Sequence, residues 1–459
     1  MFPKSTYINR RAELKKKVGS GQLLFLGNDF VGMNYAGNEY HFRQDSTFLY
    51  YFGLDFANLA AVIDIDNDRE IVFGDNPTID DIIWMGVQPT LTDKCEPIGI
   101  TDCRPLSELA SYIKSARKVH YLPPYRADHT LWYHELLGIP VNAIEANVST
   151  SFIQAVVDMR NHKSDEEIEE IEKAVDVSVD MHVKMMQMVH PGVHEAQVRA
   201  AVTQVAMSHK GGDLSFPVIA TTHGQTLHNH GYVHIAHDGD MFLLDAGAEV
   251  ESHYCGDLSS TCPVGKDFTD RQKEIFNICL SAHRAAVETL APGVPFRDAH
   301  MAAATKIAEG MKMLGMLNGD PVEAANCGAY ALFMQCGTGH MMGLDVHDME
   351  NLGEQYVGYG DYMQKSTQFG FKSLRLARPL EPGFVFTIEP GIYFIPELID
   401  RWQAEHQFEG FFNWTEIQKW RNVGGLRNEE NYMVTQDGAR LLGHKRKPMT
   451  IGEILAVRG

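Results

Sequence analysis

The chain has 459 residues, 44% of them apolar and 22% charged, which is longer than one core usually serves, so two domains are expected. Against 60 acidic residues stand 40 basic ones, and the resulting formal charge of -20 disfavours nucleic acid and anionic membrane as partners. The segment MFPKSTYINRRAELKKKVGSG lacks the apolar centre of a signal peptide, no apolar run reaches membrane-spanning length, and the 7 cysteines show no CxxC spacing. These features predict a cytoplasmic protein with reduced thiols and no membrane partner.

In chain order, a helix is expected over 7–18, followed by strands at Gln22–Leu26, 60–65, 70–73 and 118–122. This alternation predicts an α/β domain over residues 1–158. The text turns polar at 159–163, and Ser164 opens the capping signature S-D-E-E ahead of an amphipathic helical run at 168–189. A second domain is therefore placed at 159–459. Within it, HPGVHEAQVRAAV at 190–202 is echoed by APGVPFRDAHMAA at 291–303, each between a helix that ends and one that starts. The echo predicts duplicated α-α-β halves with strands at 215–220 and 241–244 in the first, and at Val385–Ile388 and 432–434 in the second. Two such halves related by a pseudo-twofold axis make a groove lined by strand residues, and the chain as a whole reads as α+β.

Five residues in that domain share a character: Asp245 in LLDAGAE, Asp257 in CGDLSST, His340 in GHMMGLDVHD, Glu389 in TIEPGIYF and Glu429 in GGLRNEEN. Taken singly, an acid at a strand end is a turn or cap residue and a lone histidine is structural. Taken together, four carboxylates and one imidazole are a hard, oxygen-rich ligand set for two divalent cations. The charges agree, because two divalent ions balance four carboxylates. Without metal, several of the acids must hold protons.

These five motifs, in this order, resemble the pita-bread metallopeptidases, prolidase (Xaa-Pro dipeptidase) first and aminopeptidase P next. The similarity covers the C-terminal domain, and HFRQDSTFLYYFGLD at 41–55 extends it to the N-terminal domain those two share. The resemblance implies an N-terminal α/β domain of the creatinase/prolidase type followed by a pita-bread catalytic domain. It implies that Asp245 ligates one metal, that His340 and Glu389 ligate the other, and that Asp257 and Glu429 bridge both. The ions are expected to be manganese, with cobalt, zinc or iron as alternatives. Glu389 also takes the proton of the attacking water, His228 in QTLHNHGY contacts substrate, and His347 in DVHD contacts substrate and helps stabilise the oxyanion.

The long insert after Val346 and the segment FFNWTEIQKWRNVGGLRNEE resemble prolidase more than aminopeptidase P. Arg375 then matches an arginine that grips the free carboxylate of a dipeptide, with Arg427 nearby, a contact suited to a guanidinium. The expected reaction is hydrolysis of the Xaa-Pro imide bond in dipeptides. An Xaa-Pro aminopeptidase acting on longer peptides is the alternative, and a metal-free binding module is the alternative from another class. Small peptides are the expected substrates and a homodimer the expected assembly. Three departures from the family pattern stand out: Asp245 and Asp257 lie twelve apart where eleven is usual, Cys336 stands where relatives commonly have histidine, and Asn428 replaces an apolar residue. The extra residue is assigned to a hairpin turn that leaves the strands in register.

Overall fold

The computed structural model describes residues 2–458, which form two compact units. One comprises the chain up to Arg160 with Asn351–Gly353, and the other Asn161–Glu350 with the described residues from Glu354 onward. In the first unit a five-stranded mixed sheet runs in the order Asp102–Arg104, Arg69–Phe73, Ala60–Asp64, Gln22–Leu26, Val119–His120. Its outer pairings are parallel and its inner two antiparallel. The strands Gln22–Leu26 and Ala60–Asp64 are buried throughout, as continuous apolar runs demand. Phe25 meets Phe52 and Phe152 edge-on at 5.1 and 5.2 Å, the arrangement ring quadrupoles favour. The strand expected at 118–122 is only Val119–His120, and Pro123 lies just beyond, without an N–H to extend the ladder.

The second unit opens with helix Asp165–Met188, whose start is fixed reciprocally: the Ser164 hydroxyl accepts from the Glu167 N–H, and the Glu167 carboxylate from the Ser164 N–H. Helices Glu195–Met207, Asp270–Glu288 and Phe296–Met313 complete two helical pairs. Each half carries a three-stranded antiparallel sheet. The first contains Ile219–Thr221, Met241–Ala246 and Leu258–Pro263, and the second Val385–Ile388, Glu430–Val434 and Ala439–Leu441. The expected strand at 215–220 is replaced by Ile219–Thr221, because Pro217 cannot donate to a ladder.

Strands Met241–Ala246 and Leu258–Pro263 pair without a break in register, Asp245 opposite Ser259. Beyond them the hairpin closes where the Val250 N–H donates to the Tyr254 carbonyl, with His253 at φ 67. A three-residue loop with one left-handed residue is a standard closure. Gly247 is required at the hairpin's base: a Cβ there would lie 1.8 Å from the Gly256 carbonyl oxygen. Buried His182 ties the first helix to both strands, reaching the Ser260 hydroxyl at 2.9 Å and the Ala246 carbonyl at 3.0 Å.

The halves are stitched along one seam. The Glu429 N–H donates to the Ser259 carbonyl at 3.1 Å, Asn431 Nδ2 to the Asp257 carbonyl at 2.6 Å, and Thr261 Oγ1 to the Arg427 carbonyl at 3.2 Å. A second anchor fixes the loop after His340: Lys163 Nζ meets Asp348 Oδ2 at 2.8 Å with both side chains 1% exposed. Breaking such a pair strands a charge in the interior. Lys163→Met is therefore expected to lower the stability of this unit by about 3–5 kcal/mol in urea unfolding. Adding Asp348→Leu should recover part of that loss, and equal losses in the single and double variants would contradict the assignment.

Candidate metal centre

Strand geometry delivers the acids. Asp245 lies within Met241–Ala246, Asp257 immediately precedes Leu258–Pro263, Glu389 follows Val385–Ile388, and Glu429 precedes Glu430–Val434. His340 is set by backbone contacts to the neighbouring strand, its N–H reaching Thr387 Oγ1 at 3.2 Å and its carbonyl accepting from the Thr387 N–H at 3.1 Å. That approach requires Gly339, where a Cβ would sit 2.0 Å from the Thr387 carbonyl oxygen. All of His228, Asp245, Asp257, His340, His347, Arg375, Glu389, Arg427 and Glu429 line one cavity of about 290 Å³. Phe216, Pro217, Ile219, Leu227 and Val346 give it an apolar wall.

Electrostatically the cavity floor is unbalanced. Ligand atoms of Asp257, His340 and Glu429 all lie within 4.8 Å of one another, and all three residues are buried. His340 Nδ1 meets the Met341 carbonyl at 3.1 Å, which places the proton there and turns the Nε2 lone pair toward Asp257 Oδ2 at 3.3 Å and Glu389 Oε1 at 3.4 Å. Asp257 Oδ1 and Glu429 Oε1 are buried and accept no hydrogen bond among the described residues. Burial drives the Asp257 carboxyl well above the usual range, and the charges of Asp245 and Glu389 push the same way. Burial does the same to Glu429, reinforced by Asp257, Glu389 and Asp245. Acceptors without donors, facing one imidazole lone pair, fit divalent cations rather than hydrogen-bonded carboxyls.

Arg427, expected to contact substrate, lines the cavity and also serves its neighbours. It is buried, and three of its N–H groups donate to Ser259 Oγ at 2.8 Å, Tyr393 Oη at 2.7 Å and Asp245 Oδ2. One of these contacts orients Asp245. Arg375 is half-buried on the cavity wall, with Nε 3.3 Å from Glu350 Oε2 and 3.5 Å from Glu354 Oε1. His347 packs edge-on to His340 and its Nδ1 lies 2.5 Å from Glu350 Oε2. Burial lowers the His347 pKa, as does His340, while Glu350 opposes them. His228 is exposed at the rim, and burial also lowers its pKa. Cys336 lines the cavity with its Sγ 3.8 Å from Tyr393 Oη.

Several contributors carried no sequence signal. Lys447 is buried and donates to Asn428 Oδ1 at 2.7 Å and the Ser259 carbonyl at 2.8 Å, which satisfies the polar residue found where an apolar one is usual. Burial lowers its pKa to about 8. Tyr393 and Glu350 orient Arg427 and His347. Tyr393 lies within the quoted motif TIEPGIYF, whereas nothing in HKRKPMT marks Lys447 as buried.

Two family profiles match the chain: metallopeptidase family M24 over residues 169–436 and the aminopeptidase P N-terminal domain over 7–133. The Xaa-Pro dipeptidase of Rattus norvegicus is 31% identical over 431 residues, covering 90% of this chain and 84% of the relative. A probable Xaa-Pro aminopeptidase of Phaeosphaeria nodorum is 27% identical, covering 91% and 87%. Among solved structures, the aminopeptidase PepP of Pseudomonas aeruginosa superposes with a TM-score of 0.82 at 24% identity, covering 100% of this chain and 98% of the other. The likeness shows the fold: an aminopeptidase P N-terminal domain followed by a pita-bread domain.

Protons on the raised carboxyls must leave when cations bind. Calorimetric titration of the metal-free protein in buffers of different ionisation enthalpy should therefore reveal net proton release on loading. Because the folded pKa values of Asp257 and Glu429 lie above their unfolded ones, their stabilising contribution is full below pH ~4 and is lost as pH rises through the folded values. The metal-free protein should accordingly lose stability across that window and the loaded protein should not. A buffer-independent titration and parallel stability curves would contradict this.

Proposed function

The chain belongs to metallopeptidase family M24, and from that premise we propose that it hydrolyses the Xaa-Pro imide bond of dipeptides. The observation that carries the dipeptide reading is Arg375 on the wall of a cavity of only about 290 Å³, small for a ligand site. A guanidinium there pairs with the free carboxylate of a C-terminal proline and excludes longer chains. The apolar wall of Phe216, Pro217, Ile219, Leu227 and Val346 suits the pyrrolidine ring. The alternative is an Xaa-Pro aminopeptidase that releases the N-terminal residue before proline from longer peptides, and the fungal relative's name favours it.

In this reading Asp245, Asp257, His340, Glu389 and Glu429 hold two divalent cations, manganese first. Bound there, the ions would polarise the scissile carbonyl and acidify a water. The chain's own groups do the rest. The Glu389 carboxylate takes the proton of the attacking water and returns it to the proline nitrogen, which has no hydrogen of its own. The His347 imidazole, held at Nδ1 by Glu350, lines the cavity beside the developing oxyanion, and His228 contacts the substrate from the rim. Arg427 acts one step removed, by orienting Asp245.

Seven free thiols suit a reducing compartment, the cytoplasm. Helix Ile79–Met85 buries none of its residues, and its apolar Ile79, Ile83 and Trp84 are 70%, 67% and 83% exposed, a surface suited to a second copy of the chain.

The test compares Gly-Pro, Gly-Pro-Ala and Gly-Ala after chelation and again after restoring Mn²⁺. Metal-dependent cleavage of Gly-Pro alone is expected. Arg375→Ala should raise KM for Gly-Pro by about 30-fold or more, the scale of a lost charge-assisted contact. Preference for Gly-Pro-Ala would replace the dipeptidase by the aminopeptidase, and no cleavage with any metal would overturn the assignment.

A further inference from the structure

Away from the acidic floor, a second constellation of ligating groups stands at the base of the loop that carries His228. Residues 222–235 leave strand Ile219–Thr221 and return beside Val193 and His194, and on the way His228 and His230 reach the cavity. Both ends of this loop converge on Glu195, the first residue of helix Glu195–Met207. Its Oε1 accepts from the Thr222 N–H at 2.8 Å and Thr221 Oγ1 at 3.0 Å, and its Oε2 accepts from the His234 N–H at 3.1 Å.

Glu195 is fully buried, and among the described residues all of its hydrogen-bond donors are neutral. A carboxylate in that position normally has a cationic partner. What faces it instead are two imidazoles, His223 and His234, stacked with ring centroids 4.0 Å apart and an interplanar angle of 30°. Ligand atoms of Glu195, His223 and His234 lie within 4.8 Å of one another. Thr222 Oγ1 meets His223 Nδ1 at 3.1 Å, the kind of outer contact that fixes which imidazole nitrogen faces an ion.

We propose that Glu195, His223 and His234 hold a further divalent cation of the zinc class, separate from the acidic centre, which fastens the two ends of the loop bearing His228. Two imidazoles and one carboxylate, with a fourth position open to water through exposed His223, match the ligand preference of Zn²⁺. Tetrahedral bonds of about 2.0–2.1 Å bring ligand atoms to roughly 3.4 Å, so closure takes shifts of about 1 Å. His223, exposed and at the loop's start, has that freedom. The ion would supply the positive charge Glu195 lacks and would join residue 223 to residue 234 directly.

The experiment measures Zn²⁺ stoichiometry and amide exchange on the full chain, together with His223→Ala, His234→Ala and, as a control, His237→Ala, an exposed histidine outside the cluster. Wild type and His237→Ala are expected to bind one Zn²⁺ equivalent more than either of the other variants. Zn²⁺ should slow exchange across 222–235 at least 10-fold in the first two proteins and leave it unchanged in His223→Ala and His234→Ala. Identical stoichiometry in all four proteins, or loss of the same equivalent in His237→Ala, would overturn the proposal. The acidic centre binds zinc equally in every variant and cancels from the comparison.

Discussion

The second unit is built around unsatisfied negative charge. Asp257 and Glu429 come from different halves, meet in the interior and present oxygens that, among the described residues, accept no hydrogen bond. Interiors do not tolerate such groups unless protons or cations complete them. Nearby elements hold the carboxylates in place, and Arg427 offsets part of their charge through its pair with Asp245. His182 fastens two strands from the helix side, Arg427 fixes Asp245, and the seam between Ser259 and Glu429 keeps the halves aligned. The fold thus gives up stability at this cluster, a common pattern where binding and folding are coupled.

The polar scaffold round the site has a graded logic. Among the described residues Asp257 Oδ1 and Glu429 Oε1 lack donors, whereas the side chains behind them are well supplied with partners. Arg427 uses its guanidinium on Ser259, Tyr393 and Asp245, while Lys447 spans Asn428 and Ser259. Such preorganisation keeps reorganisation small when charge develops on a substrate. It also explains how Asn428 is accommodated, since its amide oxygen meets an ammonium rather than an apolar core.

That Asp245, Asp257, His340, Glu389 and Glu429 gather in one cavity was legible in the sequence because each acid sits in a short motif whose apolar or glycine-rich neighbours mark a buried strand end. The capping box at Ser164 and the paired helices of the two halves were legible for the same local reason. What escaped is long-range. Lys447 meets Ser259 across 188 positions and His182 meets Ser260 across 78, and no local pattern announces either. Arg427 was recognised by its motif, but a motif does not say where a guanidinium points, and here it points to Asp245. Strand lengths went astray at Pro217 and Pro123, where hydrophobicity favours a strand and the missing N–H ends it.

Anomalous diffraction at the manganese edge from crystals grown with Mn²⁺ tests the central claim most directly. The account predicts two anomalous peaks enclosed by Asp245, Asp257, His340, Glu389 and Glu429, with Asp257 Oδ1 and Glu429 Oε1 among the ligating atoms. Protonated, mutually hydrogen-bonded carboxyls with no peak between them, at saturating metal, would contradict it.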